Sequence, residues 1–134
     1  MITAIDTNIL IDILEPDPVF GPASKEALKR CFQDGSVIAC EVVWAEVATA
    51  YGGKIKEAVN VMSRIGIEYS PMTLEATLEA ANRWYAFRKK KKVRDRIVAD
   101  FLLGGHALVL ADQLLTRDRD FYRDYFKPLK VKSP

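Results

Sequence analysis

Short continuous apolar runs alternate with longer stretches of helical period along this chain, and that alternation predicts most of its elements. Residues 1–5 read as a first strand, followed directly by a helix over residues 7–14. Pro16, Pro18, Gly21 and Pro22 mark a loop. Ser24 is then the expected N-cap of a helix reaching Asp34, which Gly35 stops. Residues 37–40 form a second, buried strand. A mostly apolar helix over 41–51 ends at Gly52-Gly53, and another over 54–65 ends at Gly66. Residues 67–70 give a third strand. Thr73 caps a long helix in which Leu74, Leu78, Ala81 and Tyr85 make the apolar stripe, with Glu75, Glu79 and Arg83 facing water. After a basic segment come a helix over about 96–108, a strand over 113–116, a short helix near 121–125 and a last strand over 129–131. Short unbroken apolar strands separated by helices imply an α/β fold whose parallel sheet is covered on both faces. In such sheets ligands bind beyond the carboxyl ends of the strands.

Against this apolar pattern four acids stand out. Asp6 ends the first strand, and Glu46 lies within Val42-Val43-Trp44-Ala45-Glu46-Val47-Ala48. Asp100 lies within Ile97-Val98-Ala99-Asp100-Phe101-Leu102-Leu103, and Asp118 closes Leu114-Leu115-Thr116-Arg117-Asp118. A carboxylate in apolar surroundings costs several kcal/mol unless it is paired, protonated or bound to a metal. Pairing with a lysine or arginine explains one or two such acids. Four of them, each in or beside a buried-looking element, suggest a shared site for a hard cation. Gly104-Gly105 in the middle of the Asp100 helix sacrifices about 2 kcal/mol of helix propensity together, so the backbone there is expected to approach something closely.

The donor chemistry narrows the choice of ion. Mg²⁺ and Mn²⁺ prefer oxygen ligands and are held by a few carboxylates, waters and substrate phosphates. Zinc would want histidine or cysteine. The single histidine, His106, falls six residues after Asp100, roughly on the opposite face of its helix, and reads as structural. No serine, cysteine or histidine triad has a candidate set, and no glycine-rich phosphate loop is present. Among the remaining acids, Asp12 is expected to be exposed on the first helix, Asp112 to lie in a loop and Asp120 to cap a helix or line a rim. Asp95 balances the basic run locally.

Composition adds little beyond class. The 134 residues, 49% hydrophobic and 28% charged, suit one globular domain over residues 1–134. No apolar stretch is long enough to span a membrane, and Asp6, Asn8 and Asp12 interrupt the N-terminal apolar region, so neither a transmembrane helix nor a signal peptide is expected. Cys31 and Cys40 read as buried free thiols, in keeping with a reducing cytoplasm. The net charge of +2 conceals an asymmetry: Arg88, Lys89, Lys90, Lys91, Lys92, Arg94 and Arg96 face one acid, Asp95, while the rest of the chain is slightly acidic. Such a cluster can attract a polyanion, or simply form a solvated connection between two helices.

Together these residues carry a resemblance. Asp6-Thr7-Asn8-Ile9-Leu10 after the first strand resembles the opening motif of PIN-domain nucleases. Glu46 in its apolar helix, Asp100 leading Phe101-Leu102-Leu103-Gly104-Gly105-His106-Ala107-Leu108, and Thr116-Arg117-Asp118 complete the pattern, which covers essentially the whole chain. A stand-alone domain of this size is similar to the VapC-type toxins of prokaryotic toxin–antitoxin pairs. The resemblance implies a three-layer α/β/α sandwich with a mostly parallel sheet and a Mg²⁺- or Mn²⁺-dependent ribonuclease centre. Asp6, Glu46, Asp100 and Asp118 match the family's catalytic and metal-binding acids, and Asn8 and Thr116 its supporting polar positions. Lys89, Lys90, Lys91, Lys92, Arg94 and Arg96 are the candidate RNA-binding residues. A homodimer and a small cognate antitoxin are the implied partners. Gly105 departs from the family, where alanine is common at that position.

Rival readings are weaker. A haloacid-dehalogenase-type phosphoryl-transfer enzyme needs Asp-x-Asp after the first strand, where this chain has Asn8. A receiver domain needs an acceptor aspartate ending the third strand, where Glu68-Tyr69-Ser70 stands. A PIN-like scaffold that only binds RNA or protein remains the alternative.

Overall fold

The computed structural model describes residues 1–90 and 96–134. The assignments made above for Lys91, Lys92, Arg94 and Asp95 lie outside the described residues. Five strands and seven helices follow in the order β1 (Ile2–Ile5), α1 (Thr7–Leu14), α2 (Gly21–Asp34), β2 (Ser36–Ala39), α3 (Glu41–Ala50), α4 (Ile55–Ile65), β3 (Glu68–Tyr69), α5 (Leu74–Lys90), α6 (Val98–Leu110), β4 (Gln113–Leu115), α7 (Arg119–Tyr125) and β5 (Lys130–Lys132). The strands pair in the order β3-β2-β1-β4-β5, every pair parallel. Helices cover both faces, giving the α/β/α sandwich. Because the three central strands are enclosed, β1, β2 and β4 bury apolar residues on both sides, including Ala4, Ile5, Val37, Ala39, Leu114 and Leu115.

The strand order carries a topological consequence. From β1 the chain moves outward through β2 to β3, then crosses back through α5 and α6 to β4 on the other side of β1. The loops leaving β1 and β4 therefore diverge at their carboxyl ends and open a crevice between them. Asp6 immediately follows β1, and Thr116 immediately follows β4.

Two local expectations change. α2 starts at Gly21, with Pro22 in the first turn and Phe20 at the cap, so Ser24 is not the N-cap. Proline needs no N–H partner at that position, and Asp17 Oδ1 takes over the preceding turn by accepting the Val19 and Phe20 N–H groups at 2.8 and 2.9 Å. Ser24 is instead buried and donates its hydroxyl to Asp12 Oδ2 at 2.7 Å.

The second change concerns α5. Leu74, Leu78, Ala81 and Tyr85 face solvent rather than the core. Its buried face is Ala76, Ala80 and Phe87, while Arg83 turns inward to donate to the Tyr125 and Lys127 carbonyls at 3.2 and 2.8 Å. The cause lies in α6. A Cβ on Gly105 would sit 2.5 Å from the Ala76 carbonyl oxygen and 2.9 Å from Ala80 Cβ, and one on Gly104 would sit 2.4 Å from the Phe126 ring. Two helices this close admit only small residues at the contact, so α5 presents alanines inward and its larger apolar residues outward. The mid-helix glycines do mark a close approach, as their sequence cost suggests.

Gly105→Ala should accordingly destabilise the protein by up to about 2 kcal/mol in urea unfolding, towards the upper end because the new Cβ meets a backbone carbonyl. The overpacking penalty of about 1–3 kcal/mol exceeds the helix-propensity gain of about 1 kcal/mol. An unchanged or raised midpoint would mean that α5 and α6 can separate without loss.

Candidate active site

Asp6 lies at the base of the crevice. Its backbone N–H extends the sheet by donating to the Leu115 carbonyl at 3.0 Å, which drives the carboxyl group into a nearly closed space, 8% exposed. Its Oδ2 accepts from Thr116 Oγ1 at 2.6 Å and Asn8 Nδ2 at 3.2 Å. Thr116 Oγ1 in turn accepts the Asp118 N–H at 2.9 Å, and Asn8 Oδ1 accepts the Arg117 N–H at 3.3 Å. The side chains expected to orient an acid thus do so, and each is itself fixed by the loop leaving β4.

Burial pushes the Asp6 carboxyl up to about 6, against the Thr116 hydroxyl and Thr7 backbone bonds that favour its charged form. The negative charges of Glu46 and Asp100 add to the rise, which puts those two carboxylates near Asp6. Asp100 occupies the first turn of α6, where its Oδ2 accepts the Ile97 N–H at 3.2 Å. It is half-buried, and burial raises its carboxyl above the usual range, with Arg96 opposing and Asp118 adding.

Glu46 differs from expectation: it is exposed, not enclosed. α3 buries Val43, Trp44, Val47 and Ala48 and turns Ala45, Glu46, Thr49 and Ala50 outward. Apolar neighbours in sequence therefore do not enclose it, because two of them are surface alanines. Its Oε1 accepts from Thr7 Oγ1 at 2.7 Å, which fastens it to the start of α1 beside Asp6.

Asp118 is only partly buried, and it is already paired. Arg96 donates to both of its carboxylate oxygens, the second bond measuring 3.2 Å, while the guanidinium stacks 4.0 Å over the Phe121 ring. Arg96 therefore stands at the acids rather than on a separate basic surface. The sequence holds a signal for this, since Arg96 stands just ahead of α6, four residues before Asp100. Of the other basic candidates, Lys89 and Lys90 are exposed at the end of α5, with Lys89 Nζ 5.1 Å from the Tyr85 ring centroid.

Three further residues change the picture. Tyr122 is buried, and its hydroxyl is raised well above its ordinary value by burial and by the charges of Asp6, Asp100 and Asp118. Its place four residues after Asp118, one turn into α7, was the available clue. Asp12 is buried rather than exposed, because Arg117 clamps it with bonds of 2.8 and 3.1 Å. That clamp lays the Arg117 guanidinium 4.0 Å over Phe20. Phe20, Arg117, Asp118 and Arg119 then line an open cleft of about 540 Å³ beside the crevice. His106 is buried and bonded to Ser70 at 3.0 Å, and burial lowers its pKa, as suits a structural residue.

The charges of Glu46 and Asp100 disfavour the anion of Asp6, and carboxylate donors of this kind suit a hard dication better than zinc. Among the described residues no three acids converge closely enough to make a ready-formed coordination cage. A Mg²⁺-type ion, which keeps several waters and needs only one or two carboxylates, does not require one.

The raised pKa of Asp6 has a measurable consequence. A carboxyl with a higher pKa folded than unfolded favours the fold at low pH. That stability is lost as pH rises from about 3.8, its unfolded value, through about 6. In EDTA, Asp6→Asn should gain on wild type across this window, by about 2–3 kcal/mol above pH 7. Urea unfolding as a function of pH measures it. A pH-independent difference would remove the buried-charge account.

A family model described as PIN domain matches residues 3–127. Among solved structures, the chain is similar to the VapBC complex of Rickettsia felis bound to a promoter DNA fragment, with 14% identity and a TM-score of 0.77 over 100% of this chain and 99% of that one. It is similar to the VapBC complex of nontypeable Haemophilus influenzae, with 17% identity and a TM-score of 0.74 over 99% and 98%. It is also similar to a sarcin–ricin loop-cleaving VapC toxin of Mycobacterium tuberculosis, with 13% identity and a TM-score of 0.63 over 96% and 98%. At such identities the likeness is one of fold. No curated protein sequence matches. With the family model spanning nearly its whole length and the parallel five-stranded sandwich beneath it, this chain belongs to the PIN domain family.

Proposed function

We propose that this protein is a metal-dependent endoribonuclease and the toxin of a VapBC-type toxin–antitoxin pair. The observation that carries the reading is Asp6: a PIN domain holds a buried carboxyl at its topological switch point, destabilised as an anion by burial and by Glu46 and Asp100. Burial that disfavours the anion costs stability, and carboxyls perturbed in this way concentrate at functional sites. The solved relatives include complexes described as VapBC and a toxin that cleaves the sarcin–ricin loop, which makes RNA and a small antitoxin the natural substrate and partner. A second copy of the chain is the further partner we propose.

Asp6, Glu46 and Asp100 would hold a Mg²⁺ or Mn²⁺ ion, with Asp118 beside them. When bound, that ion supplies Lewis-acid activation of water and counter-charge for the phosphate. The chain's own work is orientation. Thr116 and Asn8 fix the Asp6 carboxylate, Thr7 fixes Glu46, and the Ile97 N–H fixes Asp100. Tyr122 and the aromatic cluster behind α7 close the floor against bulk water. No histidine stands ready for acid–base attack by the RNA's own 2′-hydroxyl, because His106 is committed to Ser70.

One observation favours a rival. The lack of a ready-formed three-acid cage among the described residues would suit a PIN-fold scaffold that binds RNA or protein without cleaving. Metal binding separates the two. Mg²⁺ should raise the melting temperature of wild type and do so less for Asp6→Asn and Asp100→Asn, both of which should lose cleavage. Equal shifts in all three proteins would favour the scaffold.

Hydrolysis by an activated water leaves 5′-phosphate and 3′-hydroxyl ends, and cleavage should survive a 2′-deoxy substitution at the cut site. End-labelling of the products tests this; a 2′,3′-cyclic phosphate, or activity in EDTA, would overturn the mechanism. Replacing Lys89, Lys90, Lys91 and Lys92 with glutamine should weaken RNA binding and flatten its salt dependence without moving the cleavage site, since phosphate contacts carry no sequence information. An unchanged salt slope would assign the segment to solvent or a protein partner.

A further inference from the structure

Asp118 and Arg96 are joined too firmly to be read as one more acid and one more surface cation. A guanidinium keeps its charge at any working pH and cannot release a carboxylate by deprotonating. Here it holds both oxygens of Asp118, is 27% exposed, and is backed by Phe121 at 4.0 Å. Asp118 is fixed from its other end as well, through its N–H on Thr116 Oγ1, whose hydroxyl donates to Asp6. Arg96, Asp118, Thr116 and Asp6 thus form one bonded chain across the crevice. For Asp118 to join a metal's ligands, the ion would have to share a carboxylate oxygen with a guanidinium already bonded to both oxygens and repelling the ion. Asp6, Glu46 and Asp100 bear no such cost, because among the described residues they bond only to neutral donors.

The acids also pose a problem that Arg96 is placed to solve. Carboxylates repel the phosphate they must act on. Arg96 stands close enough to Asp100 for each to perturb the other electrostatically. Among the described residues two of its five N–H donors are used, both on Asp118, and the planar guanidinium suits phosphate oxygens with the others. Its partner Asp118 also borders the open cleft lined by Arg117, Arg119 and Asp120, where Arg117 is paired with Asp12 and Arg119 with Asp120.

We infer that Asp118 is a positioning residue for Arg96 rather than a metal ligand, and that Arg96 grips the RNA phosphate beside Asp6, Glu46 and Asp100. This rests on the nuclease reading proposed above.

Two measurements besides cleavage test it: Mn²⁺ binding by calorimetry, and binding of a short single-stranded RNA in EDTA across a salt series. Arg96→Gln should bind Mn²⁺ within about threefold of wild type, bind RNA about tenfold more weakly and lower the salt slope by about one. Arg96→Lys, with the charge but not the fork, should keep the slope and lose cleavage rate. Asp118→Asn should also keep Mn²⁺ binding and lose rate, and the double variant should be no slower than Arg96→Gln, since the two act as a unit. Retained Mn²⁺ binding in these variants also reports that they fold. The inference falls if Asp118→Asn loses Mn²⁺ as Asp100→Asn does, because Asp118 would then be a ligand. It falls if Arg96→Gln binds Mn²⁺ tenfold more tightly, because Arg96 would then be an occupant of the cation's place. It falls equally if Arg96→Gln leaves RNA affinity and slope unchanged. Should wild type and Asp100→Asn bind Mn²⁺ alike, the metal reading fails instead, and the RNA measurements alone decide the role of Arg96.

Discussion

The hydrogen bond from Thr116 to Asp6, 2.6 Å long and buried, is the interaction on which the rest of the crevice depends. Parallel pairing brings the ends of β1 and β4 side by side, and the reversal of strand order there then parts the chains that follow them. Something has to hold the two diverging loops in register. Here it is a carboxyl group, and because a buried carboxylate is costly unless well bonded, the loop leaving β4 must supply its donors. Thr116 does so directly, Asn8 adds a second bond, and both are tied to backbone N–H groups at Arg117 and Asp118. The group with most to lose from water exclusion therefore organises the surrounding loops.

Much of this was legible in the sequence because it follows from period and position. Among the described residues the parallel sheet follows from β1, β2 and β4, short apolar runs that can only be buried on both faces. Asp6, Asn8 and Thr116 were legible because strand ends are fixed points in such a sheet. Glu46 was misread because helical neighbours in sequence do not share a face. Val43 and Val47 turn inward while Ala45 and Glu46 turn out. The exposed stripe of α5 was misread for a related reason. Period locates an apolar face, but the choice between two faces is made by the partner helix, and Gly104-Gly105 select alanines over leucines. Asp12 was misread because its partner Arg117 is 105 residues away, a distance at which charge pairing leaves no local trace.

The buried Asp12–Arg117 pair shows what a structural acid looks like in this molecule. Its carboxylate takes two bonds from one guanidinium and one from Ser24, and so is satisfied without any ion. It joins α1, α2 and the loop after β4, and it lays Arg117 across Phe20 on the wall of the cleft. The pairing is stabilising only as a complete set, since either partner alone would be left charged and poorly solvated.

Set beside it, the acids of the crevice divide by the company they keep. Asp12 and Asp118 are bonded to arginines, whereas Asp6, Glu46 and Asp100 are oriented, among the described residues, by hydroxyl, amide and backbone donors rather than by a bonded cation. Orientation without neutralisation is an unstable arrangement for a folded protein on its own. It is the arrangement a dication needs, because ligands must be held in place yet keep their charge for the ion. The arginine on Asp118 then has a separate logic. A site that presents only negative charge would reject a polyanionic substrate, and a cation locked to one acid admits the phosphate without occupying the others. Sorting the carboxylates by their partners, rather than by their burial, is what separates the scaffold from the chemistry in this domain.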